Sequence, residues 1–74
     1  GLETAVRFFD SALHTFAELA DMPRMGHPCG FKRPSLRRLR RWPVKGFEKW
    51  AIFYLPKRGG IEVVHLYHGA RDLD

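Results

Sequence analysis

The sequence predicts an α+β fold in which one amphipathic helix packs on a small antiparallel sheet of about three strands. Apolar residues recur at helical spacing over residues 2–20, which gives the helix. Two runs rich in β-branched and aromatic residues, 48–55 and 61–68, flank a connection containing proline and glycine, which gives a hairpin. Because the chain has 74 residues, we expect a single domain over 1–74 with one modest core.

The predicted helix is amphipathic, since apolar side chains return every three or four positions with polar ones between them. We expect this apolar stripe to cover the sheet, each fully buried Phe or Leu contributing roughly 1.5–3 kcal/mol. Phe8 lies off the centre of the stripe, which indicates a second packing surface. Met22-Pro23 ends the helix, because proline disfavours helical geometry in the residue before it. The stripe consists of Leu2, Ala5, Val6, Phe9, Ala12, Leu13, Phe16, Leu19 and Ala20.

The rest of the chain alternates loop and strand. Residues 24–34 contain several glycines and prolines and are predicted to be a loop. The first strand is predicted at 36–44, where Pro43 restricts the segment to a sheet edge or a strand end. The last strand, 61–68, is expected to be buried and to organise the core, because both of its faces carry apolar side chains.

Cysteine and histidine usage argues against a metal or a disulfide. Cys29 is the single cysteine, and nothing resembles a signal peptide or a membrane span, so a reducing cytoplasm is expected. His27 and Cys29 would need two further donors to hold zinc, and the other histidines show no paired spacing. We therefore expect no metal and no cofactor. Cys29 has no nucleophile signature around it, and a plain loop thiol is the alternative interpretation.

The net charge of +5 is unevenly distributed. Residues 1–22 are mostly acidic where they are charged, whereas residues 31–58 are dense in Lys and Arg with Glu48 as their one acid. Aromatic residues are interleaved with these cations. Such a block is typical of a surface that meets a phosphate backbone or an acidic protein, and a solvated basic face is the alternative.

Four segments carry a resemblance to a known family. They are Leu19–Gly26, Leu39–Val44, Phe47–Tyr54, and Ile61–Val64 with His68–Asp72. In this order and at this spacing they resemble toxins of the ParE/RelE superfamily, which belong to bacterial type II toxin–antitoxin and plasmid stabilisation modules, and the resemblance is closer to the ParE branch. Family members usually begin with a further strand and helix, so the resemblance implies an N-terminally shortened domain whose sheet edge and helix flank another chain would cover. The family commonly has arginine at the positions of Leu55 and His65.

The resemblance implies a toxin that binds a cellular target such as DNA gyrase without turnover and is neutralised by a cognate antitoxin. Antitoxin contact is expected on the helix, including Phe8 and Phe9, and on the hairpin edge, by helix-in-groove and strand-addition recognition. Self-association through the exposed sheet edge or the helix is a further expectation. The predicted target-binding residues are Arg40, Arg41, Trp42, Lys45 and Arg71.

Two alternative functions follow from the same resemblance. A ribosome-dependent mRNA endoribonuclease of the RelE kind would need a proton acceptor and cations around the phosphate. The chain lacks the C-terminal tyrosine typical of that branch, so an enzyme is disfavoured and no catalytic residue is assigned. An inactive remnant that binds nucleic acid is the third interpretation. The candidate RNA-cleavage residues are Arg37, Tyr54, His65 and His68.

Several of these residues also have structural interpretations. Trp42, Trp50 and Tyr54 are of a type and position more often found in the core of so small a sheet. His68 stands at a strand end before a glycine, where a hydrogen-bonding role is the simpler reading. Arg71 beside Asp72 is also consistent with a local ion pair.

Overall fold

A computed structural model describes residues 1–69 of the chain. The described strands are all antiparallel, and their order in the sheet is their order along the chain. The predicted α+β class is confirmed, although the sheet formed by residues 1–69 has four strands rather than about three. Arg71 and the other residues of 70–74 fall outside the described part. The elements are α1 (Leu2–Asp21), β1 (His27–Pro28), a 3-10 turn (Pro34–Leu36), β2 (Arg40–Val44), β3 (Phe47–Lys57) and β4 (Gly60–His68).

The additional strand, β1, lies in the segment predicted as a loop. It is two residues long and pairs with Arg40 and Arg41 of β2, too short to leave a periodic pattern in the sequence. The strand predicted at 36–44 begins only at Arg40, because the preceding residues form the 3-10 turn. Pro43 is the last residue but one of β2 and lies beyond the part that pairs with β1, which agrees with its predicted place at a strand end.

β3 and β4 form the predicted hairpin with a two-residue turn. Gly59 in this turn has φ +80°, a left-handed conformation that glycine adopts without steric cost. The register shifts between Phe53 and Tyr54, so that Phe53 faces His65 and Tyr54 faces Val63. Val64 is therefore the extra residue of a β-bulge.

The prediction that the last strand is buried and organises the core is wrong. Within the described residues β4 is an edge strand, and Val63 and Val64 are exposed. The core is centred on β3, where Ile52 and Tyr54 are fully buried. It lies between α1 and one face of the sheet, and Trp42 and Trp50 pack half-buried against it, as their structural interpretation predicts.

α1 is confirmed, but its apolar stripe only partly covers the sheet. Ala12 and Leu19 are buried, whereas other stripe residues point into solvent. Phe8, predicted to serve a second surface, instead belongs to the sheet-packing face, with its ring 5.3 Å from that of Phe47 and 5.0 Å from that of Trp50. Part of the stripe stays exposed because the apolar arc of α1 is wider than its contact with the sheet can bury. The exposed members are Leu2, Ala5, Val6, Phe9 and Leu13.

Candidate binding groove

The face of the sheet turned away from α1 carries an open groove of about 570 Å³. Side chains from the loop before β2 and from all four described strands form its walls, and most of them are apolar or aromatic. We call this the sheet groove. It is lined by Pro28, Cys29, Phe31, Leu39, Arg41, Phe53, Val64, His65 and Tyr67.

Strand pairing places the centre of the sheet groove. Arg41 pairs with Phe53, and Phe53 pairs with His65, so these three residues stand side by side across three strands. Side chains directly opposite each other in a ladder share one face of the sheet. Val64 and His65 are neighbours in sequence, and in a regular strand their side chains would point to opposite faces of the sheet. Because Val64 is the extra residue of the bulge, both side chains line the sheet groove.

The charges of the sheet groove are cationic. Arg41 projects into a largely apolar wall, and the chain between Phe31 and Leu39, both groove residues, carries exposed cations and no acid. This arrangement suits an anionic group attached to an apolar or aromatic surface. We call these cations the basic rim, which consists of Lys32, Arg33, Arg37 and Arg38.

Cys29 is a protonated thiol rather than an activated nucleophile. Burial raises the pKa of the Cys29 thiol, and the Arg41 guanidinium lowers it by a smaller amount. The thiolate is the reactive form of cysteine. A raised pKa therefore lowers the thiolate fraction of Cys29 at neutral pH, which supports the plain-thiol interpretation.

Tyr54 lies on the opposite face, inside the core. Its hydroxyl donates to the Pro23 carbonyl oxygen at 2.6 Å and accepts from the Gly26 backbone N–H at 2.9 Å. Burial raises the pKa of Tyr54, while the Gly26 N–H and the charge of Arg40 act in the opposite direction. This predicted RNA-cleavage residue is therefore buried, and its two hydrogen bonds attach β3 to the loop after α1. We call this attachment the anchor between β3 and the loop after α1.

The predicted target-binding residues are divided between the two faces of the sheet. Arg41 lines the sheet groove, whereas the guanidinium Nη1 of Arg40 donates to the backbone carbonyls of Gly26 and Arg24, the latter at 3.2 Å. Trp42 packs on the core side. Lys45 is exposed in the β2–β3 turn.

The predicted RNA-cleavage residues do not form one cluster either. His65 shares the sheet groove with Arg41, but the His68 ring lies 5.0 Å from that of Trp50, on the α1 side. Arg37 belongs to the basic rim, and Tyr54 is buried. Sequence reasoning missed the aromatic groove residues Phe53 and Tyr67, whereas Phe31 is one of the aromatic residues interleaved with the predicted basic block. Phe53 could have been found, because it alternates with the buried residues on either side of it.

Two further findings concern residues 1–69. This part of the chain has no group of three His, Cys, Asp or Glu side chains that could hold a metal ion. It also has no helix that is both long and apolar enough to cross a membrane.

The fold and its groove define a small basic α+β protein with one sheet face covered by a helix and the other open for binding. A comparison with models of known protein families matches residues 1–73 to the family described as the ParE toxin of the type II toxin–antitoxin system, parDE. The chain therefore belongs to this family of toxins, as its resemblance predicts, and membership implies an antitoxin partner. No curated protein and no solved structure matches the chain.

Proposed function

We propose that this toxin binds a cellular target protein, DNA gyrase, through the sheet groove and the basic rim, in a bacterial cytoplasm and as part of a plasmid stabilisation module. A cognate antitoxin neutralises it by covering the same surface. One observation carries the proposal: Arg41 stands in a largely apolar groove beside an acid-free basic segment. That combination is complementary to an acidic protein segment bearing apolar side chains.

The position of the predicted contacts refines the proposal. Of the predicted target contacts, Arg41 lines the sheet groove and Lys45 is exposed, so both stay in the proposal. Arg71 lies outside the described residues and stays a prediction. Arg40 and Trp42 act indirectly, because their side chains hold the loop after α1 and the core side of β2.

Binding without turnover is favoured by where the titratable side chains lie. The Tyr54 hydroxyl makes two hydrogen bonds inside the protein, and His68 packs against Trp50 on the other face. Acid–base catalysis on a phosphate needs a proton acceptor and cations positioned together. Two of the three predicted proton acceptors, Tyr54 and His68, therefore lie away from the sheet groove, and only His65 lines it.

The test is inhibition of gyrase supercoiling by the purified chain. We expect wild type to inhibit, and Arg41→Glu to weaken inhibition about tenfold or more, since it places a like charge against an acidic partner. Arg58→Glu is the matched control, because Arg58 is exposed in the β3–β4 turn and lies outside the groove. Equal inhibition by all three proteins would remove the groove from the proposal, and no inhibition by wild type would remove gyrase.

The alternative, ribosome-dependent cleavage of mRNA, is favoured by one observation: His65 and Arg41 share the sheet groove. A base and a cation at one place could serve attack by a ribose hydroxyl. Cut transcripts with wild type and with His68→Ala, but not with His65→Ala, would support it. An inactive remnant would instead show affinity for nucleic acid that falls steeply with salt, and neither activity.

A further inference from the structure

The sheet groove has the size and the lining of a small-molecule site. Its volume of about 570 Å³ lies within the range of roughly 300–1,000 Å³ that is typical of such sites, which are mostly apolar with a few polar groups that orient the ligand. Phe31 is 48% exposed and Tyr67 is 41% exposed, so a large part of each ring is open to a ligand.

Aromatic rings stand on both sides of the sheet groove. Phe53 lies on the interior strand β3, Phe31 comes from the loop between β1 and β2, and Tyr67 comes from β4. The strand order therefore puts Phe31 and Tyr67 on opposite sides of Phe53. The His65 ring adds a fourth, with its centroid 6.2 Å from that of Tyr67 and an angle of 42° between the two planes. Because aromatic rings attract each other at centroid distances of about 4.5–7 Å, a planar aromatic ligand suits this lining.

Arg41 supplies positive charge inside the sheet groove. It pairs with Phe53 across β2 and β3, so the guanidinium and the ring belong to neighbouring side chains on one face. Burial raises the pKa of the Cys29 thiol and the Arg41 charge partly opposes this, so the field of the guanidinium reaches the groove wall. None of the described lining residues is acidic. A guanidinium presents parallel N–H donors whose geometry matches a carboxylate.

We propose that the sheet groove binds a small aromatic carboxylate, with the ring of the ligand among Phe31, Phe53 and Tyr67 and its carboxylate on Arg41. A nucleotide fits less well, because its ribose and phosphates would exchange water for a wall that is mostly apolar. A ligand held there would occupy the surface that the proposed function assigns to the target. The inference does not rest on gyrase being that target, since binding to the purified chain alone tests it.

The experiment is isothermal titration calorimetry of the purified chain with three ligands at fixed salt. Naphthoate carries both the aromatic ring and the charge. Naphthamide keeps the ring without the charge, and cyclohexanecarboxylate keeps the charge without the aromatic ring. We expect naphthoate to bind about tenfold tighter or more than either of the other two, because it alone engages both the aromatic lining and Arg41.

Variants locate the binding in the sheet groove. Arg41→Gln should weaken naphthoate about tenfold and leave naphthamide unchanged, because it removes the partner of the carboxylate alone. Tyr67→Ala should weaken both aromatic ligands by a similar factor, and the chain stays folded because Tyr67 is exposed. Arg58→Gln is the matched control and should bind all three ligands as wild type does, since Arg58 is exposed in the β3–β4 turn and lies outside the groove.

Four results would overturn the proposal. Equal affinity for naphthoate and either of the other ligands would remove the selection for charge or for ring, and no binding of any ligand would remove the site. Unchanged naphthoate affinity in both Arg41→Gln and Tyr67→Ala would place the binding elsewhere on the chain. Tighter binding of adenosine monophosphate than of naphthoate, titrated in the same way, would make a nucleotide the occupant instead.

Discussion

Replacing Tyr54 by phenylalanine tests the anchor between β3 and the loop after α1. The variant keeps the ring that fills the core but removes the hydroxyl that bonds to Pro23 and Gly26. An orphaned buried donor or acceptor costs about 1–3 kcal/mol. Because Pro23 is half-buried, water can reach its carbonyl in part. We therefore expect Tyr54→Phe to lower the free energy of unfolding by about 2–4 kcal/mol in total.

Urea unfolding followed by tryptophan fluorescence measures this loss. Tyr67→Phe is the matched control, because Tyr67 is exposed and its loss of a hydroxyl should stay within about 0.5 kcal/mol. A Tyr54→Phe effect as small as that of the control would refute the reasoning, since it would mean that the two hydrogen bonds contribute nothing net.

The same variant has a signature at high pH. Burial raises the pKa of Tyr54 above its ordinary value of 10.0, so the unfolded chain loses this proton at a lower pH than the folded chain. Stability is then fully present below pH 10.0 and declines as the pH rises from there toward the folded pKa. Tyr54→Phe should lack this part of the decline, and equal slopes for both proteins would contradict it.

Three further predictions concern the surroundings of the anchor and the groove. Gly26→Ala should cost about 1–3 kcal/mol in urea unfolding, because its new methyl group would overlap the Tyr54 ring, and an unchanged unfolding midpoint would speak against that close approach. Arg40→Ala should cost about 1–3 kcal/mol, since it removes hydrogen bonds to two loop carbonyls; the exposed Arg38→Ala is its control, and equal effects would deny Arg40 a structural role. Cys29 alkylation by iodoacetamide should show a pH midpoint above 9.0 in the folded chain and a lower one in urea, whereas identical midpoints would mean that burial does not affect the thiol.

Because Arg40 bonds to the loop after α1, the effect of an Arg40 variant on gyrase inhibition would have two causes. A loss of inhibition in Arg40→Ala would combine any lost target contact with a loosened loop after α1. Arg41 lies on the other face of the sheet and lines the groove. Variants at Arg41, compared with equal charge changes at Arg58, therefore report on target contact more directly.

The sequence by itself determined the elements whose signals are local. Helical spacing predicted α1 to within one residue at its C-terminal end, and two glycines after a proline predicted the β3–β4 hairpin. Proline at position 43 predicted a sheet edge or a strand end, and it lies one residue before the end of β2. The resemblance in four segments predicted the toxin family that the comparison then showed. The first three of these signals depend on residues a few positions apart, and the resemblance depends on the order of short segments, which is why a single sequence contains them.

Only the tertiary structure decided which faces are covered and which are open. The Tyr54 hydroxyl and the Gly26 N–H are 28 positions apart, and nothing local marks either as the other's partner. The bulge at Val64 reassigns side chains to the sheet groove, and the sheet leaves half of the α1 stripe in solvent. Burial and groove formation depend on how distant segments meet in space, and that pairing has no periodicity along the chain.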